Sequence, residues 1–171
     1  MKVFDGKGAW NGMVAGIPKE LVIPLLAALP YLELRGAIPV AASIGMPPAE
    51  AFLLAVAGNL FPVLPMLLLS RYLLSRLRRG AGGASGLLER LEKRAARAAS
   101  RMRNFGAWGL LLFVAVPLPA TGVYSGALVA AFLGMSLRQS LGALTGGVVL
   151  AGLIVTAAAY GLLHGLDFLL P

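Results

Sequence analysis

The stretch ALPYLELRGAIPVAASIGMPPAEAFLLAVAGNLFPVLPMLLL (residues 28–69) decides the class of this protein, because it is predominantly apolar and contains three charged residues. The same character extends along all 171 residues, of which 58% are hydrophobic and 13% are charged. The mean hydropathy is +0.84. A soluble domain of this size cannot bury so much apolar surface. The composition therefore predicts an integral membrane protein.

Two segments, 49–73 and 139–163, are long and apolar enough to cross a bilayer, which needs about 20 residues. Each follows an apolar stretch, 17–45 or 106–134, whose centre contains proline and polar residues. Proline removes a backbone donor and clashes with the preceding helical turn, so both centres are predicted to be broken. Each half of the chain thus consists of two short arms, a Gly-Met turn and one full span.

A shift of the chain along itself by 89 residues superposes these two halves. The matched positions are Pro30 with Pro119, Gly36 with Ser125, Ala41-Ala42 with Ala130-Ala131, Gly45-Met46 with Gly134-Met135, and Gly58 with Gly147. This correspondence predicts a single integral membrane domain made by duplication, with repeats at about 17–75 and 105–165 and a connecting segment at 76–104.

The predicted fold is an all-α membrane protein with two inverted repeats, each a re-entrant helical hairpin plus a transmembrane helix. Arms of about 9 to 14 residues cover only half of the hydrocarbon core, so a pair of arms can enter and leave on one side. A hairpin plus one span crosses the membrane once, so the second copy begins on the side opposite to the first. The two repeats are therefore inverted, as in many transporters. The alternative is a four-span bundle of kinked helices, with both termini inside and Arg138 outside.

The segment from Arg71 to Arg103 contains ten basic and two acidic residues. Its net charge of +8 equals the net charge of the whole chain. The positive-inside rule places this segment in the cytoplasm, and both termini of an inverted repeat then lie outside. Apolar residues at helical spacing in 87–102 predict a cytoplasmic amphipathic helix, either on anionic lipid or as a solvated connector. Residues 76–103 contain no aromatic side chain, so nucleic-acid binding is not expected.

Several kinds of chemistry are not expected from this chain. It contains no cysteine, which removes disulfides, thiolate metal sites and thiol catalysis, and His164 is its single histidine. It has no HExxH or GxSxG pattern and no glycine-rich phosphate loop. We therefore expect no enzyme activity, no cofactor and no metal.

Glu33 and Arg35 are the strongest candidates for a functional site, because a charge at membrane depth costs about 2.5–3.5 kcal/mol on insertion scales. Arg35 suits an anionic group such as phosphate or carboxylate, and Glu33 suits a coupling proton. The alternative is a structural ion pair that locks the first hairpin.

Other polar residues in the apolar segments are weaker candidates. The predicted lining residues of a substrate or proton site are Asn59, Thr121, Tyr124 and Ser125. Asn59 could equally join two helices by a hydrogen bond. Glu50 and Arg138 begin the two spans and are predicted to be interface anchors or gates.

The segments Glu33–Leu69 and Phe113–Met135 resemble the small multidrug export protein family, most specifically in the string ELRGAIP at 33–39. That family is similar to the DedA/VTT superfamily, and the resemblance implies inverted re-entrant hairpins that each pack on a membrane helix. It also implies proton-driven transport or translocation of lipids such as undecaprenyl phosphate, with essential acidic and arginine residues in the hairpins. Glu33 and Arg35 match that role, whereas the second hairpin has no arginine at its tip.

The predicted function is proton-linked export or flipping of an amphipathic or anionic substrate across the inner (plasma) membrane of a prokaryote. One alternative is a flippase or scramblase for a phosphate-headed lipid, and another is a non-transporting membrane scaffold. The expected partners are membrane lipids and a small-molecule or lipid substrate. A chain with two spans and two hairpins is small, so we expect a homo-oligomer, with a dimer favoured, to enclose the cavity.

Overall fold

A computed structural model describes residues 18–79, 106–118 and 121–169, with the backbone alone at 77–79 and 163–169. Every regular element in these ranges is a helix. The helices are α1 (Lys19–Ala27), α2 (Glu33–Ser43), α3 (Pro48–Leu60), α4 (Val63–Arg79), α5 (Gly106–Ala115), α6 (Val123–Phe132) and α7 (Leu137–Leu169). The predicted all-helical class is confirmed. The predicted amphipathic helix at 87–102 lies outside the described residues and stays a prediction.

Two stretches of helix are long and apolar enough to cross a membrane. The first, Pro48–Arg76, has 29 residues and joins α3 to α4 through a turn at 61–62. The turn coincides with Pro62, whose ring nitrogen carries no hydrogen for the helical ladder. The second, Leu137–Leu162, has 26 residues and forms most of α7. Both predicted spans are therefore helices of sufficient length.

The apolar stretch that precedes each long helix is divided in the middle, as predicted. α1 and α2 have 9 and 11 residues and are separated at 28–32, whereas α5 and α6 have 10 residues each and are separated at 116–122. At 1.5 Å per residue these helices measure about 14–17 Å, half of a hydrocarbon core. α1 contacts α2, and α5 contacts α6. Each pair thus consists of two short helices in contact.

The described chain falls into two compact units, and each unit contains residues from both repeats. The first unit holds the chain up to Asn59 and from Leu150 onward, and the second holds Leu60–Val149. One half of each long helix therefore lies in each unit. The two points of division are 90 residues apart, within one residue of the spacing of the repeat.

In the first unit, close backbone contact joins α3 to α1. A Cβ atom on Gly58 would lie 2.2 Å from the carbonyl oxygen of Pro24, so only glycine fits this contact. The end of α7 also packs on α3, since a Cβ on Gly152 would lie 2.9 Å from the side chains of Phe52 and Val56.

The second unit repeats this contact with different residues. A Cβ atom on Gly147 of α7 would lie 2.8 Å from the carbonyl oxygen of Leu111 in α5, and α4 packs on α6. The nearest atom to that Cβ position is Cβ of Val114, at 2.7 Å, so this contact includes both a side chain and the backbone of α5. Gly58 and Gly147 are 89 residues apart, which is the spacing of the predicted repeat.

The two Gly-Met turns are alike in detail. Gly45 and Gly134 adopt φ angles of +76° and +63°, the left-handed conformation that ends a helix. The N–H of Met46 donates to the carbonyl of Ala41 at 3.0 Å, and the N–H of Met135 donates to that of Ala130 at 3.2 Å. The glycine N–H groups donate to the next carbonyl, at 3.0 and 3.1 Å. Both turns are therefore Schellman motifs, at positions that the repeat predicts.

Candidate functional site

Glu33 stands at the break of the first helical pair with an unusual backbone. Its φ angle is +48°, which a residue with a side chain rarely adopts, and it is the first residue of α2. Its N–H donates to the carbonyl of Leu29 at 2.9 Å, which links the break to the end of α1. A residue held in this region costs about 1–3 kcal/mol, and such strain persists where the surroundings enforce it, commonly at functional sites.

Arg35 completes an ion pair with Glu33. Its Nη1 atom lies 3.5 Å from Oε2 of Glu33, and the side chains of the arginine and the glutamate are 18% and 8% exposed. Residues two apart do not face each other on a regular helix, and Glu33 departs from regular helical geometry through its positive φ angle. The structure therefore contains the predicted pair, and the pair is almost removed from solvent. A buried pair of this kind offsets its desolvation cost only partly.

Asn59 is a second buried polar residue, in α3 just before the turn at 61–62. It is 1% exposed, and its Oδ1 atom has no hydrogen-bond partner. Its neighbour Gly58 would normally offer a carbonyl to the N–H four residues later, but Pro62 occupies that position and has none. The break of the first long helix therefore combines a free amide oxygen with a carbonyl that lacks its helical donor. An unsatisfied buried oxygen costs about 1–3 kcal/mol, and Asn59 therefore stays a predicted binding residue.

The polar residues of the second break are used differently. Thr121 Oγ1 donates to the carbonyls of Val116 and Leu118, at 2.8 and 2.9 Å, and Ser125 Oγ donates to the carbonyl of Gly122 at 3.1 Å. These hydroxyl groups stabilise the broken backbone itself. Tyr124 is half-buried on α6. The predicted lining role of the three residues is untested by these contacts.

Glu50 and Arg138 lie in the first turns of α3 and α7, as their predicted role at the starts of the spans requires. Glu50 is half-buried and its charge is favourable near a helix N-terminus, whereas Arg138 is exposed. Their role as anchors or gates stays a prediction. In the described ranges, no group of three or more His, Asp or Glu residues is placed to hold a metal ion.

Two polar residues that the sequence analysis did not single out make long-range hydrogen bonds. Arg71 of α4 donates through Nη2 to the carbonyl of Met135 at 2.5 Å and to Ser140 Oγ at 3.3 Å. Tyr160 of α7 donates through its hydroxyl to the carbonyl of Met46 at 2.7 Å. Arg71 and Tyr160 are 89 residues apart, so the repeat spacing was the available signal.

Comparison with protein families gives one match. Residues 33–154 match the model of the family described as "Putative small multi-drug export protein". No curated protein and no solved structure matched the chain. Because the match covers well over half of the sequence and includes Glu33, Arg35 and Asn59, the chain belongs to this family.

Proposed function

We propose that this member of the small multi-drug export protein family is a proton-linked transporter of a prokaryotic inner membrane, and that it moves an amphipathic substrate across the bilayer. The observation that carries this proposal is the Glu33–Arg35 pair, two almost buried charges at the left-handed break of an apolar hairpin. Ionisable residues in such segments mark substrate, ion and proton pathways.

In this proposal Glu33 accepts the proton and Arg35 is the fixed cation. The ionised carboxylate pairs with the guanidinium, and protonation removes that attraction and leaves Arg35 for an anionic group. A proton and an anion then bind together, so an inward proton gradient drives an anionic substrate inward. A cationic substrate would instead compete with the proton for Glu33, and the same gradient would drive it outward.

A phosphate-headed lipid such as undecaprenyl phosphate is the second candidate substrate, and Arg35 is the residue that favours it. Guanidinium groups bind phosphate oxygens through two parallel hydrogen bonds, which an ammonium group cannot do. In the remaining alternative the pair is purely structural and the protein is a membrane scaffold. Asn59, Thr121, Tyr124 and Ser125 are the proposed lining residues of the pathway, and Glu50 and Arg138 its proposed anchors or gates.

An inverted duplication with re-entrant hairpins is the proposed architecture. It is supported by the matched glycine contacts of Gly58 and Gly147 and by the two matched Gly-Met turns. In the first unit α3 and the end of α7 run antiparallel, because Met46 contacts Tyr160 whereas Val56 lies beside Gly152. Antiparallel long helices are what an inverted duplication requires. The basic segment 71–103 would then be cytoplasmic, with both termini outside.

The test is transport by the full chain in proteoliposomes with an imposed pH gradient. Two probes distinguish the substrate classes: a fluorescent amphipathic cation and a short-chain polyprenyl phosphate. We expect Glu33→Gln to abolish gradient-driven movement of the transported probe. Glu20→Gln is the matched control, because Glu20 is exposed on α1 and should behave as the wild type.

The outcomes separate the alternatives. Outward movement of the cation supports an exporter, whereas inward movement of the polyprenyl phosphate that is lost in Arg35→Met supports a lipid flippase. If neither probe moves and both substitutions change only the thermal stability, the scaffold is correct. A Glu33→Gln variant that transports at the normal rate with no dependence on the gradient would remove Glu33 from the proposal.

A further inference from the structure

Arg71 and Tyr160 occupy equivalent positions of the two repeats and make equivalent hydrogen bonds. Each lies near the far end of a long helix, and each donates to the methionine carbonyl of a Gly-Met turn. The acceptors, Met135 and Met46, are also 89 residues apart. In both cases the donor and the acceptor belong to different repeats. The first long helix donates to the second Gly-Met turn, and the second long helix donates to the first Gly-Met turn.

The acceptor carbonyls need these donors. Met46 is 1% exposed and lies between α2 and α3, outside both helical ladders. Met135 is half-buried in the corresponding place between α6 and α7. A buried carbonyl without a partner is costly, so a side-chain donor from a neighbouring helix stabilises each turn. The two donors differ, since Tyr160 offers one O–H group whereas Arg71 also contacts Ser140.

The position of these bonds matters because α7 is continuous. It begins beside the Met135 turn, and Tyr160 follows its first residue by 23 positions, or about 35 Å of helix. This length matches the thickness of a hydrocarbon core of about 30 Å. A hairpin that moves relative to the long helices must carry its Gly-Met turn with it, and the turn then separates from Arg71 or Tyr160.

We propose that Arg71 and Tyr160 are a matched pair of latches, one for each Gly-Met turn, which open in alternation when the protein exchanges between its two faces. Both latches are closed in this structure. The inference rests on the proposed transport function, because alternation is useful only to a protein that exposes a site to two sides. Neither residue belongs to the proposed substrate site, so both act as positioning residues.

The test uses the absence of cysteine in the chain. Ala49→Cys reports on the Met46 turn and Ser136→Cys on the Met135 turn, because both positions are exposed next to their turns. The readout is the rate at which a maleimide labels each thiol in the full-length protein in membranes. Tyr160→Phe removes one hydroxyl and keeps the ring, and Arg71→Met removes the donors and keeps a long side chain.

We expect reciprocal changes. Tyr160→Phe should raise labelling at position 49 by about threefold to tenfold, the value of one net hydrogen bond, and should lower labelling at position 136. Arg71→Met should do the reverse. The double variant should return the labelling rates at positions 49 and 136 toward those of the wild type, because each of the two alternating states then lacks the hydrogen bond that stabilised it. Tyr72→Phe is the control, since the exposed Tyr72 hydroxyl bonds only Arg76 in the described structure and should leave both rates unchanged.

A purely structural role gives a different pattern. In that case each substitution raises labelling at its own turn alone, and the double variant raises labelling at both, which would overturn the proposal. Failure of the proposed function is a separate result: the proteoliposomes would transport neither probe, while the reciprocal labelling would still be observed. If Arg71→Met does not fold, Tyr160→Phe alone tests the reciprocity, because the expected fall in labelling at position 136 occurs with Arg71 unchanged.

Discussion

The two hairpins share their backbone architecture and differ in the polar groups at their breaks. α1–α2 and α5–α6 both lead into a Schellman turn, and both have a first arm that touches a glycine of the following long helix. At the break itself, the first hairpin places the carboxylate of Glu33 and the guanidinium of Arg35, whereas the second places the hydroxyl of Thr121 on backbone carbonyls.

This difference separates the constraints of packing from those of function. Glycine fits a close backbone contact and a positive φ angle better than any other residue, and both predicted repeats use it at these places. At the second break, hydroxyl groups donate to backbone carbonyls and no charged side chain takes part in these bonds. The charges of the first hairpin are therefore the groups to which we attribute the proposed function.

The largest expected effect is all-or-none and concerns the side of the membrane that each turn faces. If the hairpins are re-entrant and inverted, a thiol from Ala49→Cys is labelled by an impermeant reagent in intact cells, whereas one from Ser136→Cys is labelled only after permeabilisation. Labelling of both positions in intact cells would indicate four spans, and the comparison of the hairpins would lose its basis.

The next largest effect is expected at the glycine contacts that the hairpins share. Gly58→Ala forces a Cβ atom into the backbone of Pro24, so we expect a loss of at least about 3 kcal/mol, seen as a lower thermal unfolding temperature in detergent. Gly147→Ala should behave alike. Gly142→Ala is the control, because nothing lies within 4 Å of its Cβ position, and alanine should stabilise the helix there by about 0.5–1 kcal/mol.

A smaller loss is expected when one charge of the first hairpin is removed. Arg35→Met leaves the Glu33 carboxylate almost buried without its countercharge. Such a change costs about 3–5 kcal/mol in a fully buried pair, and less here because Arg35 is partly exposed. The double variant Glu33→Gln with Arg35→Met should recover much of this stability while transport stays lost. A double variant whose loss of stability equals the sum of the two single losses would show that the two charges do not interact.

The smallest effect is expected in the second hairpin. Thr121→Val removes the donor to the Val116 and Leu118 carbonyls and should cost about 1 kcal/mol of stability, with transport retained. Thr121→Ser keeps the hydroxyl and should resemble the wild type. A loss of transport in Thr121→Val at unchanged stability would give the second hairpin a direct part in the pathway and weaken the contrast with the first.

Several features of the fold were predictable because their causes lie in short stretches of sequence. Apolar content and length predicted the two long helices, proline predicted the broken centres, and the Gly-Met pairs predicted the turns. Of the candidate site, the sequence identified Glu33 and Arg35 through their charge in an apolar segment. It did not identify Arg71, which was one of ten basic residues in its segment, or Tyr160, which was one aromatic residue in an apolar helix.

The sequence by itself determined a helical membrane protein with a duplicated pattern and one charged pair. The tertiary structure decided which groups meet: Gly58 with Pro24, Arg71 with Met135, and Tyr160 with Met46, the last two pairs separated by 64 and 114 residues. It also decided the left-handed backbone of Glu33. The physical reason is that hydropathy and turn chemistry act over a few residues, whereas contacts between distant residues depend on the packing of whole helices.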